Sequence, residues 1–177
     1  MKTSGFFAAG LIAVLATLGA GSALSSQADE GFDERPLIKV PADGKYKVVY
    51  DLRSDKQAAG INRGLYYIRG LIEAFRKQGV KPDQLDIHVV MHGKSGKALL
   101  IDETFQSVVD DPFSINPSAR IVSDLIELGV SVEMCHSAMK SKGWTAEDVL
   151  PNVVIVHDGY TRLIKLQNDG YAYIGGF

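Results

Sequence analysis

The sequence contains one cysteine in 177 residues. A single cysteine closes no internal disulfide and builds no cysteine-cluster metal site. Neither sign of charge dominates: 19 Lys and Arg stand against 21 Asp and Glu, for a formal net charge of −2. That balance gives no chain-wide basic footprint for nucleic acid and no polyacidic tail. Internal repeats and low-complexity tracts are absent. Several catalytic loop motifs are missing as well. A phosphate loop read through Gly93-Lys94-Ser95 needs glycine at 88, which is His88; read from Gly93 it needs glycine at 98, which is Ala98. No G-x-S-x-G elbow supplies a hydrolase serine, and no G-x-G-x-x-G follows the first strand to hold a dinucleotide. What remains is a chain 46% hydrophobic, the normal fraction for a globular protein rather than a disordered or fibrous one.

The first 28 residues differ from the rest. Lys2 is the sole charge before Asp29, and between them Phe6–Leu18 is apolar and Gly19–Ala23 is small. A positive start, an apolar core and small residues form a secretory signal, with cleavage expected after Ala28 or Ala23. The alternative is an uncleaved anchor, because Gly5–Leu24 is uncharged and about one membrane span long. No cysteine near the cleavage region offers a lipid attachment, and no Arg-Arg pair precedes the apolar core. The mature chain is therefore expected in the periplasm or outside the cell, with no stable membrane insertion after cleavage. In that oxidising compartment an unpaired thiol such as Cys135 marks a reactive group or an intermolecular bond.

Residues 29–44, with Pro36 and Pro41, read as an extended arm. Lys45–Leu52 is a β-branched and aromatic run, the first strand. From Lys56 to Gln78 the apolar residues Ala58, Ile61, Leu65, Ile68, Ile72 and Phe75 recur at helical spacing, and Gly79 stops the helix. Leu85–Met91 is the second strand, and Thr104–Val109 a helical turn. Asn116-Pro117 opens a helix that presents Ile121, Leu125 and Leu128 on one face and closes at Gly129. Val130–Met134 is the third strand, Ser137–Lys142 a short helix, and Val153–Val156 the fourth strand. Tyr160–Gln167 is helical and Tyr171–Ile174 is the last strand. Apolar strands alternating with helices predict an α/β fold over 45–177: a three-layer α/β/α sandwich around a mainly parallel five-stranded sheet.

In open α/β sheets, ligands bind at the carboxyl ends of the strands. Here those ends are Asp51-Leu52-Arg53, His92-Gly93, Cys135-His136 and His157-Asp158-Gly159. Cys135 sits where a strand passes into a helix, so amides of Ser137–Met139 are expected to face its sulfur. Helix-start amides and a nearby imidazolium favour a nucleophilic thiolate. His92, His136 and His157 are candidates to position a group or transfer a proton, although histidines at strand ends also simply bond to backbone. His88, in mid-strand, reads as a satisfied buried ring. Soft sulfur and imidazole also suit copper or zinc, through Cys135 with His92 or His157, although no C-x-x-C spacing supports a metal.

The segments Val130–Cys135, Leu150–Val153 and Leu166–Ile174, with His92-Gly93, make residues 45–174 resemble the DsrE/DsrF (YchN-like) family, in its exported branch. Sulfur-relay members carry a cysteine, an alanine three residues on and a glycine eight on; here these are Cys135, Ala138 and Gly143, with Lys142 at a commonly basic position. The resemblance implies an oligomeric α/β protein whose cysteine holds sulfur as a persulfide and passes it to a partner. The expectations are thus a sulfurtransferase-type carrier with Cys135 as sulfur acceptor, a homo-oligomer with a protein sulfur donor or acceptor, and no cofactor. The competing reading is a non-catalytic oligomeric binding or assembly module in which Cys135 is only packed.

Overall fold

Five short apolar runs pair in the computed structural model as one parallel sheet, which describes residues 35–177. The expected leader and the first residues of the arm lie outside the described residues. The strands are β1 (Tyr46–Leu52), β4 (Leu85–Met91), β5 (Ser131–Cys135), β6 (Val154–Val156) and β7 (Ala172–Ile174). Their order is β6-β5-β4-β1-β7, and every pairing is parallel. The α/β architecture with a five-stranded sheet is therefore as expected. A separate antiparallel ribbon joins β2 (Gln57–Ala58) to β3 (Ile61–Asn62).

One face of the sheet is the main core. Tyr50 and Leu52 of β1, Val89 and Met91 of β4, and Val132 and Met134 of β5 pack there with Leu65, Ile68 and Leu125. The last three come from α1 (Arg63–Lys77) and α3 (Ala119–Glu127). Fully burying one such side chain contributes roughly 1.5–3 kcal/mol, so this face provides most of the driving force for folding. Among the described residues the other face receives one helix, α5 (Gly159–Asn168), whose Leu163 and Leu166 meet Val49 and Val90 in a small apolar cluster against which Tyr171 packs. The remaining helices are α2 (Asp102–Val109) and the five-residue α4 (His136–Lys140). Short 3-10 turns cover Pro82–Gln84, Ser95–Leu99 and Ala146–Asp148.

Three boundaries differ from the sequence reading. The helix expected from Lys56 begins at Arg63, because residues 57–62 form the β2–β3 ribbon. Its turn places Ala59 at φ 49° and Gly60 at φ 80°, the left-handed pair that closes a tight hairpin. Ala58 and Ile61 mimic helical spacing, but the Asn62 side chain accepts from the amides of Gly64 and Leu65 and fixes the start of α1. Likewise Asn116 does not cap α3, whose N-cap is Ser118. Asn116 is buried and accepts from the Ser118 amide (2.9 Å), while its own NH2 donates to the carbonyls of Ala98 (3.1 Å) and Leu100 (2.7 Å). Leu128, expected on the buried face, is the C-cap of that helix and 52% exposed.

Residues 39–177 form one compact unit, and the arm residues within it are anchored by hydrogen bonds. Tyr46 Oη donates to the Pro41 carbonyl at 2.6 Å, and Gln84 Nε2 donates to those of Ala42 and Gly44.

Candidate functional site

Because every strand of the main sheet is parallel, their carboxyl ends lie at one edge, which receives Asp51, His92, Cys135 and His157 together. Side chains alternate along a strand, so each strand also sorts its residues between faces. Val49 and Asp51, Val90 and His92, and Glu133 and Cys135 share the face covered by α5. That face is short of apolar contacts and rich in buried charge.

Cys135 ends β5 and is 4% exposed. Its Sγ accepts a hydrogen bond from the Gly159 amide at 3.2 Å. The donor is thus the first residue of α5, and the sequence-based expectation of Ser137–Met139 is corrected. Cys135 itself occupies the N-cap of α4 without a side-chain capping bond. The reason is the pleat: the Cys135 side chain rises on the α5 face, where α5 begins, rather than toward the helix that follows it in sequence. Asp158 caps α5, its side chain accepting from the amides of Tyr160 and Thr161 and leaving the Gly159 amide to the sulfur.

His92 is the neighbour of Cys135 on this face. The β4–β5 register pairs Met91 with Met134, so His92 and Cys135 stand one step beyond. Gly159 packs on both: a Cβ built on it would lie 3.4 Å from His92 Cγ and 3.5 Å from Cys135 Cβ. On its other side His92 Nε2 bonds to Asp51 Oδ1 at 2.7 Å. Asp51 also accepts from Arg53 Nε (3.1 Å) and Nη2 (2.7 Å) and from Tyr173 Oη (2.6 Å). Burial alone would raise the Asp51 carboxyl, but the bonds from Arg53, Tyr173 and His92 outweigh it and hold it below the usual carboxylate range. The Tyr160 ring stands edge-on to His92 at 5.1 Å and lies under the Arg53 guanidinium.

A second charged cluster lies deeper on the same face. Glu133, fully buried, accepts from Arg162 Nε at 2.7 Å and Nη2 at 2.8 Å, from Ser131 Oγ, and meets His88 Nδ1 at 2.5 Å. Burial raises its carboxyl, yet Arg162 and His88 reverse the shift and bring it down to about 2. His88 is a satisfied ring as read, partnered by the buried Glu133 and by the exposed Asp86, but partly rather than fully buried. His88 and His92 are four residues apart, but on a strand that spacing is about 13 Å, too far to share an ion.

His136 and His157 belong elsewhere. Their ring centroids are 6.4 Å apart, and both line a cavity of about 430 Å³ with Met139, Trp144 and Ile155. Cys135 does not line that cavity. The site thus draws together Cys135, His92, Asp51 and Gly159, and leaves His136 and His157 as a separate pair. Among the described residues no group of three or more His, Cys, Asp or Glu could hold a metal ion. Sequence reasoning left the role of Asp51 and Arg53 open and passed over Glu133, Tyr160 and Tyr173. A signal was available for Glu133: an acidic residue between Val132 and Met134 in an apolar strand needs a buried partner.

The sheet resembles two solved structures in fold. The protein MTH1491 from Methanobacterium thermoautotrophicum, described as of unknown function, is 22% identical, with 75% of this chain and 100% of that chain covered and a TM-score of 0.56. The ychN protein from E. coli is 15% identical, with 74% and 99% covered and a TM-score of 0.54. No curated protein sequence matches significantly. The family model for the DsrE/DsrF-like family matches residues 48–175, which takes in every strand of the main sheet from Val48 onward together with Asp51, His92 and Cys135, and the chain therefore belongs to the DsrE/DsrF-like family.

Proposed function

We propose that this chain is an exported sulfur carrier, with Cys135 as the residue that holds the sulfur. The observation that carries the reading is the bond from the Gly159 amide to Cys135 Sγ. An N–H donor at the N-terminus of a ten-residue helix stabilises negative charge on that sulfur when it is a thiolate. In the loading step the Cys135 thiolate attacks the sulfane sulfur of a donor R–S–SH. The bond between that sulfur and R–S breaks, R–S⁻ leaves, and Cys135–S–SH forms. An acceptor thiolate then attacks the outer sulfur and releases the Cys135 thiolate, so no external oxidant or reductant is consumed. His92 is the histidine beside the reacting sulfur. The carrier needs no cofactor. Its donor or acceptor is another protein thiol, and the chain works as a homo-oligomer after removal of residues 1–28.

The test is the intact mass of the mature protein before and after exposure to polysulfide or thiosulfate, beside Cys135→Ser. The expected result is a gain of one or more sulfur atoms that reductant reverses and the variant lacks. Loading that persists in the variant overturns the proposal.

One observation favours a second reading, a binding or assembly module in which Cys135 is only packed. Cys135 is nearly enclosed, while Val154 and Ile155 of the edge strand β6 are 47% and 39% exposed. A native protein whose thiol resists a small alkylating reagent supports this second reading.

A further inference from the structure

We propose that His136 and His157 form a second site on this chain, a two-imidazole clamp for a soft monovalent cation of the Cu(I) and Ag(I) class. The site is independent of the sulfur-carrier reading, because Cys135 does not line the cavity that holds it.

Strand pairing brings the two rings together. β5 and β6 run parallel with Cys135 opposite Val156, so His136 and His157 are the next residue of each segment. Ser137 Oγ donates to the His157 carbonyl at 3.2 Å, which ties the start of α4 to the end of β6. The ring centroids are 6.4 Å apart, with the ring planes at 64°. With metal–nitrogen bonds of roughly 2 Å, an ion on the line between two imidazoles sets their centroids about 6 Å apart. The observed spacing is therefore close to that of a linear N–metal–N pair, and a small rotation of the exposed His157 closes the remainder.

The surroundings select the ion. The other two histidines each commit a ring nitrogen to a buried carboxylate, His88 to Glu133 and His92 to Asp51. Among the described residues no hydrogen bond takes up either ring of the pair, so their nitrogens are available as ligands. No third His, Cys, Asp or Glu completes a group with them. Structural zinc needs a full tetrahedral set, and calcium and magnesium need oxygen ligands, so those ions are disfavoured. A d¹⁰ monovalent ion is satisfied by two imidazoles. Met139 and Trp144 line the same cavity and add a thioether and an indole face, both soft partners for such an ion. Lys142 Nζ lies 5.3 Å from the centroid of the Trp144 ring, and that fixed positive charge penalises a divalent ion more than a monovalent one.

The test titrates ¹⁵N-labelled protein with silver nitrate, a redox-inert probe of this class. The thiol is a competing ligand, so the wild type is run beside Cys135→Ser. Cys135→Ser should retain one silver ion per chain through dialysis, and the ring ¹⁵N signals of His136 and His157 should move while those of His88 and His92 stay. His136→Gln and His157→Gln, each added to Cys135→Ser, should lose the retained ion. Silver held by the wild type but not by Cys135→Ser, or held by both histidine variants, overturns the proposal. So do His136 and His157 signals that stay in place at excess silver, a result that needs no variant to fold. An equal ring response to zinc sulfate overturns the assignment to a soft monovalent ion.

Discussion

Arg162 clasps Glu133 with two hydrogen bonds, 2.7 Å from Nε to Oε2 and 2.8 Å from Nη2 to Oε1, and so ties α5 to the centre of β5. The carboxylate is fully buried, while the guanidinium reaches it from a side chain 31% exposed. Two apolar residues of α5 are buried beside it, so this ion pair is a large share of what holds the helix that begins at Gly159 over Cys135.

The Glu133 carboxyl is held down to about 2 in the folded protein, against an ordinary value of 4.5. A depressed folded value adds stability that is fully present above the ordinary value and is lost as pH falls through the folded one. Urea midpoints should therefore hold near pH 7 and decline progressively from about pH 4.5 toward 2. Glu133→Gln should cost on the order of 3 kcal/mol at pH 7, because Arg162 and His88 lose a buried charged partner. The same variant should show a flatter decline in acid, and an unchanged slope would assign the acid sensitivity to other carboxylates.

Gly159→Ala places a methyl group between His92 and Cys135, at 3.4 and 3.5 Å from their nearest atoms. These distances are close to ordinary contact, and alanine favours the helix by about 1 kcal/mol over glycine. The variant should fold with a melting temperature near that of the wild type, while alkylation of Cys135 slows. Equal alkylation rates would show that reagents reach the sulfur by a path that does not cross Gly159.

Asn116→Ala removes three hydrogen bonds in one buried place, leaving the Ala98 and Leu100 carbonyls and the Ser118 amide without their partner. Each stranded buried group costs about 1–3 kcal/mol, so the variant should lose on the order of 3 kcal/mol in urea unfolding. A loss under 1 kcal/mol would mean that water replaces the amide.

Expressed with its native leader in a bacterium and recovered from the periplasm, the protein should begin at Asp29, or at Leu24 if cleavage follows Ala23. The intact mass decides between them. A mass that includes Met1 would instead favour the uncleaved anchor.

The parallel α/β fold was legible because its strands are short apolar runs separated by helical spacing, and burial on both faces leaves that signature in the chain itself. Position also marked the strand ends, so Cys135 and His92 stood out before any coordinates. The ribbon at 57–62 did not, since Ala58 and Ile61 are three residues apart in a hairpin as in a helix, and only the left-handed turn and the Asn62 cap separate the two. The partner of the sulfur was equally hidden. Sequence neighbours pointed to the amides after Cys135, but the pleat turns its side chain to the face where α5 arrives from β6, 24 residues further on. The sequence by itself determined the class of fold and which residues reach the carboxyl edge, because both depend on local periodicity. Tertiary structure alone decided that Asp51 meets His92, that Gly159 meets Cys135, and that His136 and His157 turn away from both, because those pairings depend on strand order and on which face each side chain takes.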